Sequence, residues 1–325
     1  MKVLAGDIGG TKTLLQIVDV TADHYKVLYE QRFESQRYDD FSVLAQTFLS
    51  SAPHSAVMAI EDACLAVAGP VESGKTGQYA KVTNLPWHIE ARPLAATLHL
   101  PRLLLINDFQ AVGYGFDALS RDDLVVLQTG QCQPRAPRLI LGAGTGLGVA
   151  QMIWQAGRYH VIPSEGGHAD FAPTDEIQMA LLRYLQSRYS HVSYDRILCG
   201  PGLMNIYNFL REHASGAPPL EIAQDAAAIS AAAGTDPVAH AALDMFVSIY
   251  GAQAGNLALF NLASGGVYVA GGIAPKILPY LEAGGFMRAF SSKGRMAGLM
   301  SSLPVSVIIH TKVGVMGAAR AAAGM

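Results

Sequence analysis

Residues 2–18 read Lys2-Val3-Leu4-Ala5-Gly6-Asp7-Ile8-Gly9-Gly10-Thr11-Lys12-Thr13-Leu14-Leu15-Gln16-Ile17-Val18. Two apolar runs, 2–5 and 13–20, flank a glycine-rich link. Leu14, Leu15, Ile17 and Val18 favour strand, so the stretch predicts a β-hairpin with glycines at its tip. The pattern returns later in the chain. A strand at 139–141 leads into Gly142-Ala143-Gly144-Thr145-Gly146-Leu147-Gly148, and a second strand follows at 149–154. This weak internal repeat predicts two related halves. A third glycine pair, Gly271-Gly272, ends an apolar strand at 267–270.

Working outward, residues 25–33 extend the first hairpin by a strand. Apolar residues at 41, 44, 45 and 48 have helical spacing and predict a helix over 41–49. Strands at 63–68 and 103–106 bracket a helix at 91–98. Such alternation implies a partly parallel sheet in an α/β domain. Helices are expected at 177–189, 202–213, 238–260 and 314–323, the last with Gly324 beyond its end. A loop is expected at 216–219 and a late strand at 305–309. The expected division is a small α/β domain of residues 1–118 plus 309–325 and a large α/β domain of residues 119–308.

Composition bounds the function. At about 150 residues per domain, 325 residues suggest two domains. Charged residues make up 15% of the chain against a usual level of roughly 25%, so much of it is buried. Lys and Arg number 23 against 26 Asp and Glu, a net charge of −3 that excludes a generally basic nucleic-acid binder. Low charge with 50% hydrophobic residues also argues against disorder. Cys64, Cys132 and Cys199 stand apart and form no CxxC, so no disulfide framework or thiolate zinc site is encoded. No signal-peptide core and no uncharged apolar run of about 18 residues is found, which points to a cytoplasmic protein without a membrane partner.

Two glycine-rich decoys need weighing. Gly69-Pro70-Val71-Glu72-Ser73-Gly74-Lys75-Thr76 fits the P-loop pattern letter for letter. A P-loop needs a helix starting at its lysine. Gly77 falls in that first turn, Pro86 stops the run, and the apolar residues between lack helical spacing. The alternative to a P-loop NTPase here is a plain hairpin turn. The dinucleotide pattern GxGxxG fails, because Leu147 or Val149 occupies its sixth position. What remains is a pair of Gly-Thr tips presenting backbone N–H groups and hydroxyls to a polyphosphate from two sides. Glycine permits that close approach. Asp7 suits a hydrated Mg²⁺, and Lys12 either adds positive charge or is merely solvated. Against this stands the reading of both tips as ordinary tight turns.

Asp7-Ile8-Gly9-Gly10-Thr11-Lys12, residues 141–148 and Val269-Ala270-Gly271-Gly272-Ile273 resemble the two phosphate loops and the adenosine loop of the hexokinase/actin-like ATPase fold. More narrowly, the chain resembles the bacterial-type glucokinases. Leu105-Ile106-Asn107-Asp108-Phe109, Glu165-Gly166-Gly167-His168-Ala169-Asp170-Phe171 and Leu198-Cys199-Gly200-Pro201-Gly202-Leu203 match that family's further signatures in order. The resemblance implies an α/β, two-lobed hexokinase/actin-like (ribonuclease H-like) fold with a central cleft. It implies ATP-dependent phosphorylation of D-glucose at the 6-hydroxyl, with Mg²⁺ beside ATP, and a homodimer.

By position, the resemblance makes Asp108 the catalytic base and Asn107, Asp108, Gly146, Glu165, His168 and Asp195 the sugar site. It places ATP on Gly6, Asp7, Ile8, Gly9, Gly10, Thr11, Lys12, Gly144, Thr145, Gly271 and Gly272, with Asp7 holding the metal through water. One position departs. The family reads His-Val-Ser-x-Glu-Arg where this chain has His191-Val192-Ser193-Tyr194-Asp195-Arg196, so the carboxylate sits one methylene shorter. That keeps a kinase of another hexose, such as mannose or an amino sugar, as an alternative; a non-catalytic sugar-binding regulator is a third reading.

The chemistry is consistent with these assignments. A sugar hydroxyl is a poor nucleophile, and phosphoryl transfer needs positioning more than covalent help. Asp108 follows an apolar strand, where it serves as a general base or as the N-cap of a helix over 109–116. The Gly166-Gly167 turn folds Glu165 back toward His168, so that both can face one sugar. Trp87 and Trp154 lie outside every motif and read as packing. His54, His99 and His240 have no constellation in the sequence.

Overall fold

The computed structural model describes residues 1–21, 24–75, 77–215 and 225–325. The loop expected at 216–219 and Thr76, the last residue of the P-loop pattern, lie outside the described residues. The chain divides into two compact units. One comprises Met1–Ser120, His160–Pro163 and His310–Met325; the other comprises Arg121–Tyr159 and Ser164–Ile309.

The strands of the first unit are β1 (Lys2–Ile8), β2 (Lys12–Thr21), β3 (His24–Glu34), β4 (Asp62–Val67), β5 (Val71–Gly74), β6 (Gly77–Lys81), β7 (His88–Glu90) and β8 (Leu103–Asn107). One sheet has the order β3-β2-β1-β4-β8, and β5-β6-β7 form a smaller one. β1 pairs antiparallel with β2 and parallel with β4, which in turn runs parallel to β8. Alternation along β1 sorts its side chains onto two faces. Leu4 and Ile8 join Phe48 and Trp87 in one core. Val3 and Ala5 join Ala318, Ala319 and Ala322 of the terminal helix Val313–Ala322 in another. Burying a side chain the size of Phe48 contributes about 1.5–3 kcal/mol. The small residues on the second face let helices approach closely: a Cβ on Gly317 would collide with the Ala111 carbonyl of helix Asp108–Phe116.

The remaining strands are β9 (Leu124–Gln128), β10 (Arg138–Ala143), β11 (Leu147–Gln155), β12 (Arg158–Ser164), β13 (Val267–Ala270) and β14 (Val305–Ile308), all of the second unit except His160–Pro163 of β12. Their order is β12-β11-β10-β13-β14-β9. β10 pairs antiparallel with β11 and parallel with β13, and β13 runs parallel to β14. This is the path that β1, β2, β4 and β8 follow, so the repeat read from the two glycine-rich tips extends to the topology of both sheets. The long apolar run forms helix Pro237–Asn261, capped by the Asp236 side chain and buried along much of its length.

One expectation is met and one needs correction. The P-loop reading fails because Gly77 opens β6, which pairs antiparallel with β5 where a helix would be required. Gly77 has φ +114°, a conformation that favours glycine, and the segment is the plain hairpin turn expected as the alternative. His240 is also less isolated than its sequence context suggests. One turn of helix brings Asp244 within 3.4 Å of its Nε2, and Tyr280 Oη lies 3.2 Å from its Nδ1.

Candidate active site

The first hairpin tip is held from inside. Gly9 N–H donates to Lys12 O at 3.0 Å and closes the turn. Ser35, fully buried, donates its backbone N–H to Thr11 O at 3.0 Å and its hydroxyl to Gly9 O at 2.8 Å. Thr13 Oγ1 lies 3.0 Å from the same hydroxyl. The carbonyls of Gly9, Thr11 and Lys12 are therefore engaged within the protein. The N–H groups of Gly10 and Thr11 have no acceptor among the described residues. Gly10 packs on the backbone, since a Cβ there would lie 3.0 Å from Thr83 O. Lys12 is exposed. Gly6 and Ile8 are buried in β1, with Gly6 fitting beneath Leu15 and Leu65, so these two act on the tip through the backbone alone.

Asp7 is partly sheltered below this tip. Burial pushes its carboxyl up to about 6, with Arg32 pulling it down more weakly. Gly314, in the first turn of the terminal helix, would bring a Cβ to 3.0 Å from Asp7 Oδ2. Strand register ties Asp7 to the base candidate. Asp7 pairs with Ala66, and Ala66 with Ile106, one residue before Asn107. Two strand spacings amount to about 10 Å, so Asp7 and Asn107-Asp108 sit near the same carboxyl edge of the parallel strands. That edge is where open α/β sheets bind ligands.

Asn107, with φ −66° and ψ 149°, is the N-cap of helix Asp108–Phe116. Its Oδ1 accepts from Phe109 N at 2.9 Å and Gln110 N at 3.2 Å, and its Nδ2 donates to Gly69 O at 3.2 Å. The capping role weighed for Asp108 thus belongs to its neighbour. Asp108 is the first helical residue, partly buried, with Oδ1 accepting from Phe109 N at 2.9 Å. Its carboxylate also lies at the positive end of a helix.

The second hairpin tip is anchored at more points. Gly144 N–H donates to Gly146 O at 2.8 Å, and Gly144 O accepts from Gly200 N–H at 2.9 Å. Ala143 N–H donates to the buried Tyr250 hydroxyl at 3.0 Å, and Ala143 O accepts from Ile273 N–H at 3.2 Å. Leu147 N–H donates to Asp195 Oδ1 at 2.7 Å. Gly271 has φ +86° and lies so close that a Cβ would be 2.5 Å from Ala143 O. Thr145 is exposed, and the Cα atoms of Gly144 and Gly272 face open space. Gly144, Thr145, Gly271 and Gly272 are therefore brought together.

The Glu165 turn lies against the same hairpin. A Cβ on Gly167 would collide with Leu147 O. The turn places His168 Nε2 3.9 Å from Glu165 Oε2, with both side chains more than half exposed. Phe171 N–H to Val192 O and Tyr194 N–H to Ala169 O, each 3.0 Å, tie this turn to the segment bearing Asp195. Gly146, Glu165, His168 and Asp195 thus cluster around Leu147. The sequence singles out neither Ser35 nor Tyr250 nor the approach of Gly314, and it marks Gly200 only as part of the 198–203 signature, without its bond to the hairpin. Nothing near them in the chain signals their contacts.

A sequence-family model described as Glucokinase matches residues 4–325. A Nostoc sp. protein named glucokinase is 44% identical over 343 residues, covering 99% of this chain and 98% of its own. The chain belongs to the glucokinase family. A Synechocystis sp. glucokinase is likewise 44% identical over 352 residues, covering 98% of this chain and 97% of that one. The crystal structure of a glucokinase from an Antarctic psychrotroph is 30% identical, with a TM-score of 0.83, and spans 100% of this chain and 99% of that one. The expected α/β fold of the hexokinase/actin-like kind is accordingly the fold of this glucokinase-family chain. No helix among the described residues is long and apolar enough to cross a membrane.

Proposed function

We propose that the chain transfers the terminal phosphoryl group of ATP to the 6-hydroxyl of D-glucose, with Asp108 as general base. The observation that carries this reading is the near-full-length match to proteins named glucokinase. The local geometry within each unit is compatible with it. Asp108 takes the proton of the 6-hydroxyl as that oxygen bonds to the γ-phosphorus. The bond from the γ-phosphorus to the bridging oxygen breaks, and ADP leaves. General-base help of this kind contributes about 10²- to 10⁴-fold.

Asn107 has spent its Oδ1 on the helix and one N–H on Gly69. Its second N–H remains for a sugar oxygen. Glu165 and Asp195 accept from sugar hydroxyls, at about 1.5–3 kcal/mol per charged hydrogen bond. His168 supplies a further polar contact, and Gly146 a surface without a side chain. The tips Gly9-Gly10-Thr11-Lys12 and Gly144-Thr145 hold the phosphates, and Gly271-Gly272 lie toward the nucleoside. Among the described residues no cluster of three or more His, Cys, Asp or Glu could hold a resident metal. A single carboxylate below a phosphate loop fits a Mg²⁺ that arrives with ATP and keeps its waters. Asp7 would hold that ion, whose contribution is to neutralise phosphate charge. The same reading includes a homodimer, which sedimentation equilibrium would detect.

The test is an ADP-coupled assay across several hexoses, run beside Asp108→Asn. Glucose should give the highest kcat/KM, and the variant should lose about 10²- to 10⁴-fold in kcat while still binding glucose. Turnover near the parent level in Asp108→Asn would remove the base.

A further inference from the structure

Asp195 has two oxygens, and the fold commits only one of them. Oδ1 accepts from Leu147 N–H at 2.7 Å. It also faces the bare Cα of Gly146, where a Cβ would lie 2.6 Å away. Leu147 is the first residue of β11, paired with Ala143 across the glycine tip. The carboxylate therefore fastens the returning strand of the second phosphate hairpin just where it leaves the tip. Oδ2 takes no hydrogen bond among the described residues.

The turn that carries the carboxylate is anchored through its neighbour Tyr194. Asp195 sits in the short helical turn Tyr194–Arg196 and is partly buried. The Tyr194 hydroxyl accepts from Asn256 Nδ2 at 3.2 Å, and Leu198 N–H donates to Tyr194 O at 2.7 Å. Asn256 Oδ1 in turn accepts from Lys293 Nζ at 2.7 Å. The two oxygens belong to one carboxylate on an anchored turn, so a ligand on Oδ2 bears on the bond that Oδ1 makes.

We propose that Asp195 is a positioning residue that couples the two substrates, with Oδ1 fastening the nucleotide hairpin and Oδ2 receiving a sugar hydroxyl. The proposal rests on the reading of Asp195 as a sugar contact given above. A sugar hydroxyl on Oδ2 draws the side chain into one rotamer. That rotamer holds Leu147 N–H and so presets Gly144-Thr145-Gly146 for phosphate. Linkage makes the effect reciprocal: bound nucleotide raises sugar affinity by the same factor as bound sugar raises nucleotide affinity. The shorter aspartate matters here, because a glutamate would carry its carboxylate one methylene past Leu147 N–H.

The experiment is calorimetric titration of glucose with and without a saturating non-hydrolysable ATP analogue, AMPPNP, on the full chain. The coupling factor is the ratio of the two glucose dissociation constants. The parent should show a factor of at least about 5, the lower end of ordinary allosteric coupling. In Asp195→Glu the factor should fall to about 1 while glucose still binds, since the longer side chain reaches the sugar and not the hairpin. Asp195→Asn, which keeps an acceptor for Leu147 N–H, should retain more of the coupling than Asp195→Glu. A parent factor of 1, or full coupling in Asp195→Glu, would overturn the coupling role. A separate result marks failure of the underlying reading: glucose binding by Asp195→Ala as tight as in the parent would show that Asp195 does not touch the sugar.

Discussion

Gly271→Ala tests whether the second hairpin is as tightly backed as its hydrogen bonds imply. Two costs add. Alanine at φ +86° is left-handed, at about 1–2 kcal/mol. The new Cβ would also lie 2.5 Å from Ala143 O. Carbon and carbonyl oxygen come to rest at about 3.3 Å, so either segment must retreat by roughly 0.8 Å. Ala143 has little freedom to move, since its N–H is on the buried Tyr250 hydroxyl and its carbonyl on Ile273 N–H. Forcing atoms into such a place costs about 1–3 kcal/mol. The sum is about 2–5 kcal/mol, read as a lower urea midpoint for the unfolding transition. A shift approaching 1 Å at the base of a phosphate loop should also lower kcat/KM for ATP by about 10- to 100-fold. Gly298→Ala is the control. It lies in helix Ala297–Ser302 with open space around it, so alanine should be neutral or stabilise by up to about 1 kcal/mol. If both variants unfold together and bind ATP alike, Gly271 does not back the hairpin as described.

Asp7 predicts a pH dependence. Its carboxyl is raised from 3.8 to about 6 by burial, so the stability it contributes is fully present below 3.8 and lost as pH rises through about 6. The anion formed above that point is the cation-binding form. Apparent Mg²⁺ affinity, measured from rate against free Mg²⁺ at fixed ATP, should therefore strengthen from pH 5 to 7 more in the parent than in Asp7→Asn; parallel curves would contradict it. Ser35→Ala should destabilise by about 1–3 kcal/mol, because Gly9 O and Thr13 Oγ1 lose a buried partner. It should raise the KM for ATP more than that for glucose, as steady-state kinetics would show. Lys75→Ala should leave turnover near the parent value, since Lys75 is an exposed residue of the β5–β6 turn; loss of activity would revive a P-loop role.

The glycine tips were legible because their signal is local. Strand-forming residues on either side and a glycine run between them lie within about twenty positions, and the second copy reinforces the first. A partly parallel sheet followed from the alternation of strand and helix, whereas the order of its strands did not. The capping of helix Asp108–Phe116 was not legible. Asn and Asp cap equally well, and the choice depends on the backbone angles at 107, where β8 ends. Ser35 hydrogen-bonds 26 residues back to Gly9, and Tyr250 reaches Ala143 across 107 residues. Contacts at such separations have no period in the chain. The double engagement of Asp195 was hidden for a related reason: the resemblance assigned its carboxylate to sugar, and nothing in the sequence signals the N–H of Leu147 as a second claimant.

β4 shows how much of the first unit's chemistry resides in register rather than in reactive side chains. Asp62–Val67 is buried at every position and carries no residue of the candidate site. It nevertheless sets the separation between Asp7 on one side and Asn107-Asp108 on the other, through pairs Asp7–Ala66 and Val67–Asn107. A slip of one residue in either pairing would turn the side chains of a neighbouring strand to the opposite face of the sheet. Asp7 would then exchange places with the buried Gly6 or Ile8, and a carboxylate would enter the apolar core that Ile8 shares with Phe48 and Trp87, a costly burial. The apolar residues of β4, uninformative in a search for catalytic groups, thus keep both carboxylates aimed at one edge. A mutation scan of this strand should accordingly alter kcat wherever it alters register, and leave kcat intact where it lowers stability alone.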